Sequence, residues 1–393
     1  MQSNRLARLA QLSVFLFGAS SAVTAVSLEG MRAEFGLSYS QGGLLASARS
    51  LTLAVVVTAC GFLAGRWGKK PLLTGGTFLL AVSLAAVYAT GSFAALFLAF
   101  VLFGAGLGAI EALVSPLVAE LDPPRAASNL NALHALFPLG LAVIAVAGGE
   151  ALVAGLSWRF VFLALCPAVL VSGVLFLLVR FPAHVPEKRA AGNTLALGAS
   201  GVFWLLGLAM ALSAGTESCL TIWTANFITD SFGASPRAGA WGLAAFAAPM
   251  FAGRLLSSRA AHTVKLERLI IFSSLAGAGG VLGLVVVAGM EAGWVSLAAS
   301  CGFLAVCGLA VAPFWPTILA LAERRMPGRS TTLVFALMAT FGIGGYGLAP
   351  WTVGLLADRW GLRVGFAAMV PAFAAVIALT SLADGRRRSP TGC

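Results

Sequence analysis

The chain has 393 residues, of which 59% are hydrophobic and only 10% are charged. This composition excludes an ordinary soluble domain and indicates a polytopic helical membrane protein, because apolar runs approach the roughly 20 residues that a helix needs to cross a bilayer. The net charge of +11 requires no nucleic-acid partner, since the basic residues are spread over predicted loops and are not gathered on one soluble face. We expect these loops to have some affinity for the anionic lipids of the bilayer.

Apolar runs between polar breaks predict twelve transmembrane helices. The first six runs lie near residues 10–31, 41–64, 71–91, 93–119, 128–154 and 159–180, and the second six lie near 196–228, 237–257, 269–289, 294–320, 331–356 and 364–383. The N-terminal run lacks a small-residue cleavage site after a short apolar core, so we expect it to be the first span and not a removable signal. The predicted fold class is therefore an all-α integral membrane protein.

The distribution of Lys and Arg predicts that both termini are cytoplasmic. With this topology 19 of the 25 basic residues, including Arg254, fall on inner segments, five fall on outer segments, and Arg49 lies within a span. Basic residues in short loops stay on the cytoplasmic side of a membrane. We therefore expect a multi-pass plasma-membrane protein with an even number of crossings.

Residue patterns repeat between the two halves of the chain, which predicts two pseudo-symmetric six-helix bundles. Phe35, Gly36 and Ser38 recur as Phe232, Gly233 and Ser235, an offset of 197 residues (232 minus 35), and Arg159 and Phe162 recur as Arg363 and Phe366, an offset of 204 (363 minus 159). The predicted units are the bundles 1–182 and 196–393, joined by a polar cytoplasmic linker at 183–195. Parallel halves of this kind place a substrate site at their interface near the membrane midplane.

Glu111 lies in the middle of the fourth span. A charged side chain at bilayer depth costs a few kcal/mol or more, so its default interpretation is functional. Burial favours the neutral form of a carboxyl group, which suits Glu111 to load and release a proton. The alternative is a neutral Glu111 that hydrogen-bonds to a neighbouring helix for packing.

Asn131 and His134 open the fifth span, which follows Glu111 after a short loop. The short loop makes the two helices antiparallel neighbours, so all three side chains can face one cavity. We expect His134 to assist proton coupling and Asn131, which offers a donor and an acceptor, to bind a substrate hydroxyl. Either residue can instead serve helix packing.

Three further candidates lie on the seventh span, namely Glu217, Trp223 and Asn226. Their spacing of i, i+6 and i+9 does not place them on one narrow face of a continuous helix. They face one site only if the helix breaks, and Gly215 is the position where we expect that break. With a break, all three are predicted to bind substrate.

Trp315 and Arg49 complete the predicted substrate site. Trp315 stands between Pro313 and Pro316, where an irregular turn exposes its ring for stacking on a substrate; the alternative is helix packing. Arg49 lies roughly 12 Å into the second span. We expect Arg49 to form a salt bridge with Glu29 or Glu34, or alternatively to bind an anionic group of the substrate, which indicates a sugar acid or carboxylate.

The whole pattern resembles the major facilitator superfamily, and the segment from Gly104 to Gly140 resembles its fucose and hexose proton-symporter branch. The matching positions of this segment are Gly104, Gly106, Gly108, Glu111, Ser115, Pro116, Leu130 and Asn131, and His134 stands where members of the branch show Gln or His. The resemblance extends to the segments Gly215–Phe227 and Pro313–Leu321. It implies alternating access by two six-helix bundles and proton-coupled uptake of a hexose or related sugar.

The loop Gly61–Pro71 resembles the loop between helices 2 and 3 of that superfamily. Arg66, Lys69 and Lys70 fit its pattern and are predicted to hold a cytoplasmic gate through contacts with helix ends. Gly65 replaces the usual Asp of the loop. Ala25 likewise stands where proton-coupled fucose transporters carry a carboxylate in the first helix.

The function predicted from the sequence is thus secondary active transport of a small polar solute, with protons as the second substrate. Efflux of an organic compound and uptake of an organic anion or sugar acid remain alternatives. The chain has no HExxH motif, no paired mid-span aspartates and no G-x-K-S loop, so we expect no enzyme activity. Six cysteines without paired spacing indicate neither a metal site nor a cofactor, and we expect a functional monomer.

Overall fold

A computed structural model describes residues 2–182, 200–260, 264–326 and 331–385 of the chain. The predicted linker, 183–195, lies outside these described residues. The first half contains α1 (Gln2–Phe35), α2 (Tyr39–Trp67), α3 (Lys69–Ala89), α4 (Phe93–Leu121), a 3-10 turn (Pro123–Arg125), α5 (Ala126–Val153) and α6 (Trp158–Leu178). The second half contains α7 (Gly201–Phe232), α8 (Pro236–Ala260), α9 (Leu266–Val287), α10 (Trp294–Val311), α11 (Phe314–Arg325), α12 (Thr331–Ala367) and α13 (Met369–Gly385).

The described helices give the twelve predicted spans. Nine of them are long and apolar enough to cross a membrane, counting α10 and α11 as one span from Trp294 to Arg325, and a bent pair, Leu337–Ala367 with Met369–Asp384, gives a tenth. Gly361, at a φ of +80°, interrupts α12, so that one span ends there and the next begins. Helix α8 corresponds to the eighth predicted span but is not among these nine or ten. The prediction of an all-α, twelve-helix membrane fold is confirmed.

The repeated Phe-Gly-x-Ser pattern forms the same turn in both halves. Gly36 and Gly233 adopt positive φ values of +62° and +59°, which a residue without a Cβ reaches at little steric cost. Ser38 then accepts a hydrogen bond from the Gln41 amide at 3.2 Å, and Ser235 accepts one from the Ala238 amide at 3.3 Å. Each serine therefore caps the start of the second helix of its half.

The repeated arginines also have matching roles. Arg159 Nη1 donates to the carbonyl oxygen of Val87 at 3.3 Å, and Arg363 Nε donates to that of Val285 at 2.8 Å. Each arginine thus joins the start of the sixth span of its half to the C-terminal end of the third span of the same half. These contacts support the predicted pseudo-symmetry of the two bundles.

The bundle has two ends, which we call the terminal end, where α1 begins, and the far end, where the turn at 36–38 lies. At the far end the halves pack closely, because glycines let backbones approach. An ideal Cβ built on Gly354 of α12 lies 2.5 Å from the carbonyl oxygen of Tyr39, and one built on Gly149 of α5 lies 2.3 Å from Ala240 Cβ. Small residues serve the same purpose in other membrane helix pairs.

Polar contacts add to this closure of the far end. Glu150 of α5 accepts three hydrogen bonds from Arg237 of α8, at 2.6–3.0 Å. Asp358 of α12 accepts the backbone amides of Tyr39 and Ser40 at 2.6 and 3.0 Å, so its charge lies at the positive N-terminus of α2. Both contacts join one half of the protein to the other.

Ion pairs at the terminal end have a different distribution. Lys69 pairs with Glu120 inside the first half, and Arg325 pairs with Glu267 and Asp384 inside the second. None of these pairs joins the two halves. In the described part of the chain, therefore, ion pairs close the far end across the halves and stabilise each half separately at the terminal end.

Candidate functional site

Arg254 of α8 joins the two halves in the interior of the protein. Its Nη2 lies 3.0 Å from Oε1 of Glu217 in the second half, and its Nη1 donates to the carbonyl oxygen of His134 in the first half at 2.9 Å. The exposed fractions of the Arg254 and Glu217 side chains are only 16% and 9%. Counting Arg254 among the loop residues that define topology was therefore wrong, although 18 inner residues still outnumber five outer ones.

The predicted proton-coupling residues, Glu111 and His134, lie in the first half, across the interface from Arg254. Ser115 Oγ of α4 is 3.2 Å from His134 Nε2 of α5, and Glu111 precedes Ser115 by one turn on the same face of α4. The positive charge of Arg254 acts on Glu111 as well as on Glu217. The side chains of Glu111 and His134 are both half-buried, and the contact of Ser115 with His134 connects the two helices that carry them.

The glycine-rich pattern of α4 has a steric reason. An ideal Cβ on Gly104 lies 2.0 Å from the carbonyl oxygen of Arg49, and one on Gly108 lies 2.8 Å from that of Leu53. The absence of side chains at these two positions lets α4 pack against the backbone of α2. Glu111 follows one turn after Gly108 and continues this face.

Arg49 of α2 is 3% exposed and lies in the same interior. Its Nη1 donates to Thr24 Oγ1 at 3.3 Å, and its guanidinium lies 5.7 Å from the centre of the Phe103 ring. The predicted salt bridge with Glu29 or Glu34 is wrong. Glu29 is exposed, and Glu34 is already bound to Arg159 and Trp158, each at 2.7 Å.

Tyr346 of α12 links Arg49 to the Arg254 group. Its side chain interacts electrostatically with Arg49, Glu217 and Arg254, and Ser218 of α7 donates to its carbonyl oxygen at 2.7 Å. The central cluster, as we call it below, consists of Arg49, Glu111, His134, Glu217, Arg254 and Tyr346. It draws on six helices of both halves.

Sequence reasoning missed Arg254 and Tyr346. Arg254 falls within the apolar run 237–257, so a charge inside a span was the available signal. Tyr346 is one of only three tyrosines in the chain and stands in a glycine-rich segment, which is a much weaker signal. The partners of both residues come from distant segments, so their roles depend on the fold.

The predicted break in α7 is wrong, because α7 is continuous from Gly201 to Phe232. Gly215 instead lets α12 approach, since an ideal Cβ there lies 3.0 Å from Ala349 Cβ and 3.3 Å from the carbonyl oxygen of Gly345. The three candidates on α7 consequently separate. Glu217 joins the central cluster, whereas Trp223 does not.

Trp223 belongs to the closed far end. It is completely buried, its Nε1 donates to the carbonyl oxygen of Pro350 at 3.0 Å, and its ring centre lies 5.9 Å from that of Tyr39. Asn226, one turn nearer the far end, is 1% exposed, and within the described part of the chain neither atom of its amide group has a hydrogen-bond partner. In this conformation neither side chain is open to a solute.

Trp315 lies just after the break between α10 and α11, as its flanking prolines suggest. Its half-buried ring covers Gly342 of α12, where an ideal Cβ lies 2.5 Å from the ring. Asn131 is part of α5, but its side chain lies outside the described residues. Substrate contact by these two residues remains a prediction.

The predicted gate residues lie at the terminal end. Lys69 forms a salt bridge with Glu120 near the end of α4, and Lys70 Nζ donates to the carbonyl oxygen of Val179, just after α6, at 2.9 Å. Arg66 is exposed near the end of α2. Both lysines thus contact helix ends, but their partners belong to the same half.

No group of three or more His, Cys, Asp or Glu residues in the described ranges is arranged to hold a metal ion.

Comparisons with known proteins agree with this architecture. The model of the Major Facilitator Superfamily matches residues 11–342 and, in a second match, 206–392. An uncharacterized MFS-type transporter of Yersinia pestis is 25% identical over 384 residues, which are 96% of this chain and 94% of that protein.

Two solved structures share the fold over almost their whole length. A bacterial homolog of the human lysosomal transporter Spinster, in an inward-facing and unoccupied conformation, has a TM-score of 0.77 at 17% identity. The match covers 100% of this chain and 99% of that homolog. The fucose:proton symporter of E. coli has a TM-score of 0.66 at 17% identity and covers 98% of both chains. At these identities the similarity concerns the fold alone. Because the family model covers most of the sequence, the chain belongs to the major facilitator superfamily and is a membrane transporter, not an enzyme.

Proposed function

We propose that this transporter moves a small polar solute across the membrane by proton-coupled alternating access, with the central cluster as its site. The observation that carries the proposal is the position of Arg254, which bonds to Glu217 in one half and to the backbone of His134 in the other. A contact of this kind changes whenever the halves move relative to each other. It therefore links the charge state of the cluster to the conformation of the protein.

Protons enter this mechanism through Glu111 and His134. Glu111 is half-buried in an apolar span and lies within reach of the charge of Arg254. Protonation of Glu111 removes a negative charge that competes with Glu217 for that arginine. In our proposal, protonated Glu111 permits substrate binding from outside, and loss of its proton toward the cytoplasm assists release.

The distribution of basic residues supports an orientation with the terminal end in the cytoplasm. In that orientation the far end faces outward and is closed by Glu150 with Arg237 and by Asp358 with α2. The described conformation is then inward-facing, like the Spinster homolog with which it shares the fold. We propose that the bundles 1–182 and 196–393 rock about the cluster, with 183–195 as their linker and the plasma membrane as their location.

The solute is proposed to be of hexose size. The α4 segment that contains Glu111 and Ser115 resembles the hexose symporter branch, and Trp315 presents a half-buried ring next to α12. Apolar faces of sugars stack well on such rings. Arg66, Lys69 and Lys70 are proposed to act at the cytoplasmic gate when that end closes.

The test uses the full chain reconstituted in liposomes that contain a pH-sensitive dye. Neutral hexoses, sugar acids and small carboxylates are added in turn without an imposed gradient, with the membrane potential clamped. We expect one class to acidify the lumen in wild-type vesicles and not in vesicles with Glu111→Gln. Silence across the panel, in vesicles whose protein content is verified, contradicts proton-coupled uptake.

A further inference from the structure

Arg49 is a charged group of the cluster that no carboxylate among the described residues neutralises by direct contact. It is 3% exposed, and within the described residues no carboxylate oxygen lies within 4.0 Å of its guanidinium nitrogens. Its Nε is buried without a hydrogen-bond partner. Burial of an unpaired guanidinium is costly, so such residues in membrane spans mark sites for charged ligands or partners.

The single hydrogen bond of Arg49 does not offset its charge. Thr24 Oγ1, which accepts from Arg49 Nη1 at 3.3 Å, donates its own hydrogen to the carbonyl oxygen of Ser20 at 3.0 Å. Thr24 is therefore a neutral acceptor that orients one side of the guanidinium. The remaining donors of Arg49, including Nε, are left for another acceptor.

Three acidic side chains of the described residues, two of them outside the cluster, are bound to groups other than Arg49. Glu217 pairs with Arg254 at 3.0 Å, and Glu34 pairs with Arg159 at 2.7 Å. Asp358 accepts the amides at the start of α2. With Glu111 protonated, the cluster contains two arginines and one carboxylate, so its interior has an excess of one positive charge.

The place of Arg49 suits a transported ligand. Its helix, α2, packs against α12 of the other half, where an ideal Cβ on Gly347 lies 3.3 Å from a methyl group of Leu51 and 3.4 Å from Ser50 Cβ. Tyr346, also on α12, interacts electrostatically with the guanidinium. A ligand bound by Arg49 would therefore lie close to the contact between the two halves.

We infer that the substrate carries a carboxylate, which binds to Arg49, so that the transported solute is a small organic acid and not a neutral sugar. The planar fork of a guanidinium matches a carboxylate in a bidentate arrangement. A sugar acid satisfies both this requirement and the hexose size proposed for the solute. The inference rests on the proposed function and names the substrate class of its site. Cotransport of one proton with one monovalent acid transfers no net charge, whereas cotransport with a neutral sugar transfers one positive charge.

The first experiment measures binding and requires no coupling. Purified full-length protein is titrated with glucuronate and with glucose, which differ by a carboxylate in place of a hydroxymethyl group, and the shift in Tm is recorded. We expect glucuronate or another acid of a small panel to raise the Tm, and glucose to leave it unchanged. Arg49→Gln should weaken binding of that acid by at least about tenfold, Arg49→Lys should weaken it less, and Arg324→Gln, at an exposed position, should have no effect.

The second experiment measures charge movement in liposomes with a potential set by potassium and valinomycin. We expect acid uptake that follows the pH gradient and is insensitive to the potential. Proton-coupled uptake of a neutral sugar, with no response to any acid, overturns the inference but leaves the proposed function standing. Arg49-dependent acid binding without proton movement overturns the proposed coupling but supports the inference. If no acid binds the wild-type protein while a neutral solute does, the inference of a carboxylate substrate is also overturned.

Discussion

Arg254 Nη2 lies 3.0 Å from Glu217 Oε1, while the other terminal nitrogen of the same guanidinium donates to the backbone of His134 across the interface between the halves. The ion pair lies within one half, and the second hydrogen bond joins it to the other. A change in the charge of Glu217 therefore alters the strength of a contact between halves. This arrangement gives the central cluster a direct connection with the conformation of the transporter.

Removal of one partner of this pair should destabilise the protein. Arg254→Gln leaves Glu217 buried without its counter-charge, at a cost of roughly 3–5 kcal/mol, as for other broken buried pairs. We expect the double variant Arg254→Gln with Glu217→Gln to recover most of the lost stability, although not transport. The measurement is a double-mutant cycle of Tm in detergent. Additive losses of Tm in the double variant would contradict a direct pair.

Glu111→Gln should separate accumulation from exchange. A permanently neutral side chain resembles the protonated state, so the variant should still exchange labelled for unlabelled substrate but lose accumulation driven by the pH gradient. Both rates are measured in the same batch of proteoliposomes. Full gradient-driven accumulation by the variant would remove Glu111 from the coupling mechanism, and Glu291→Gln, at an exposed loop position, provides the comparison.

The far-end contacts should control access from outside. Asp358→Asn combined with Glu150→Gln removes the charge at the N-terminus of α2 and the ion pair with Arg237, so we expect the far end to open more often. A single cysteine at Asn226, which is 1% exposed, reports this opening through a membrane-impermeant thiol reagent.

That labelling experiment requires a background without the six native cysteines. Labelling should be slow with the far-end residues intact and at least about tenfold faster in the double variant, since each contact helps to close the same end. A cysteine at the exposed Ala154, in the turn between α5 and α6 at the far end, serves as the reference for general reactivity. Equal labelling rates at position 226 in both backgrounds would show that these contacts do not hold the far end closed.

Neutralisation of Arg66, Lys69 and Lys70 should slow the conformational cycle without changing substrate affinity. Lys69 and Lys70 contact Glu120 and the carbonyl oxygen of Val179, which fixes helix ends at the proposed gate. We expect the triple glutamine variant to transport more slowly with an unchanged Kd for substrate. An unchanged transport rate refutes the gating role, and the exposed Arg324 supplies a matched arginine for control.

Gly104 should tolerate no side chain. The Cβ of Gly104→Ala would lie 2.0 Å from the carbonyl oxygen of Arg49, so α4 and α2 must separate, at a cost of roughly 1–3 kcal/mol or more. Gly75 of α3 has no atom within 4 Å of an ideal Cβ, and Gly75→Ala should leave stability unchanged or raise it by about 1 kcal/mol. Thermal unfolding compares the two variants. A similar effect of both substitutions on Tm would contradict the close packing of α4 on α2.

Some features of the site were predictable because they depend on local pattern. Glu111 is a single carboxylate in an apolar span, and a short loop brings His134 near it, so sequence spacing alone pairs α4 with α5. The repeated turns at Gly36 and Gly233 were equally readable, since positive φ values require glycine at fixed places in both halves. Helical periodicity likewise showed that the candidates on α7 share no narrow face of a continuous helix, but the break expected to bring them together does not occur.

Other features required contacts between distant segments. Arg49 was expected to pair with Glu29 or Glu34, but Arg159, 125 residues from Glu34, binds that glutamate instead. The position of Gly215 in α7 predicts a helix break, whereas in the fold this glycine lets α12 approach.

Local composition was enough to indicate the membrane class, the twelve helices and the presence of buried charge, because bilayer thickness and the cost of a buried charge act on each segment separately. Which charged side chains meet depends on the tertiary structure. Arg254 and Glu217 lie 37 residues apart in the chain, and Tyr346 reaches Arg49 from the other half. Such partners are selected by the packing of whole helices. Glycines, which lack a Cβ, determine which helix faces can approach closely. That selection leaves Glu217 neutralised by Arg254 and leaves Arg49 without a counter-charge among the described residues.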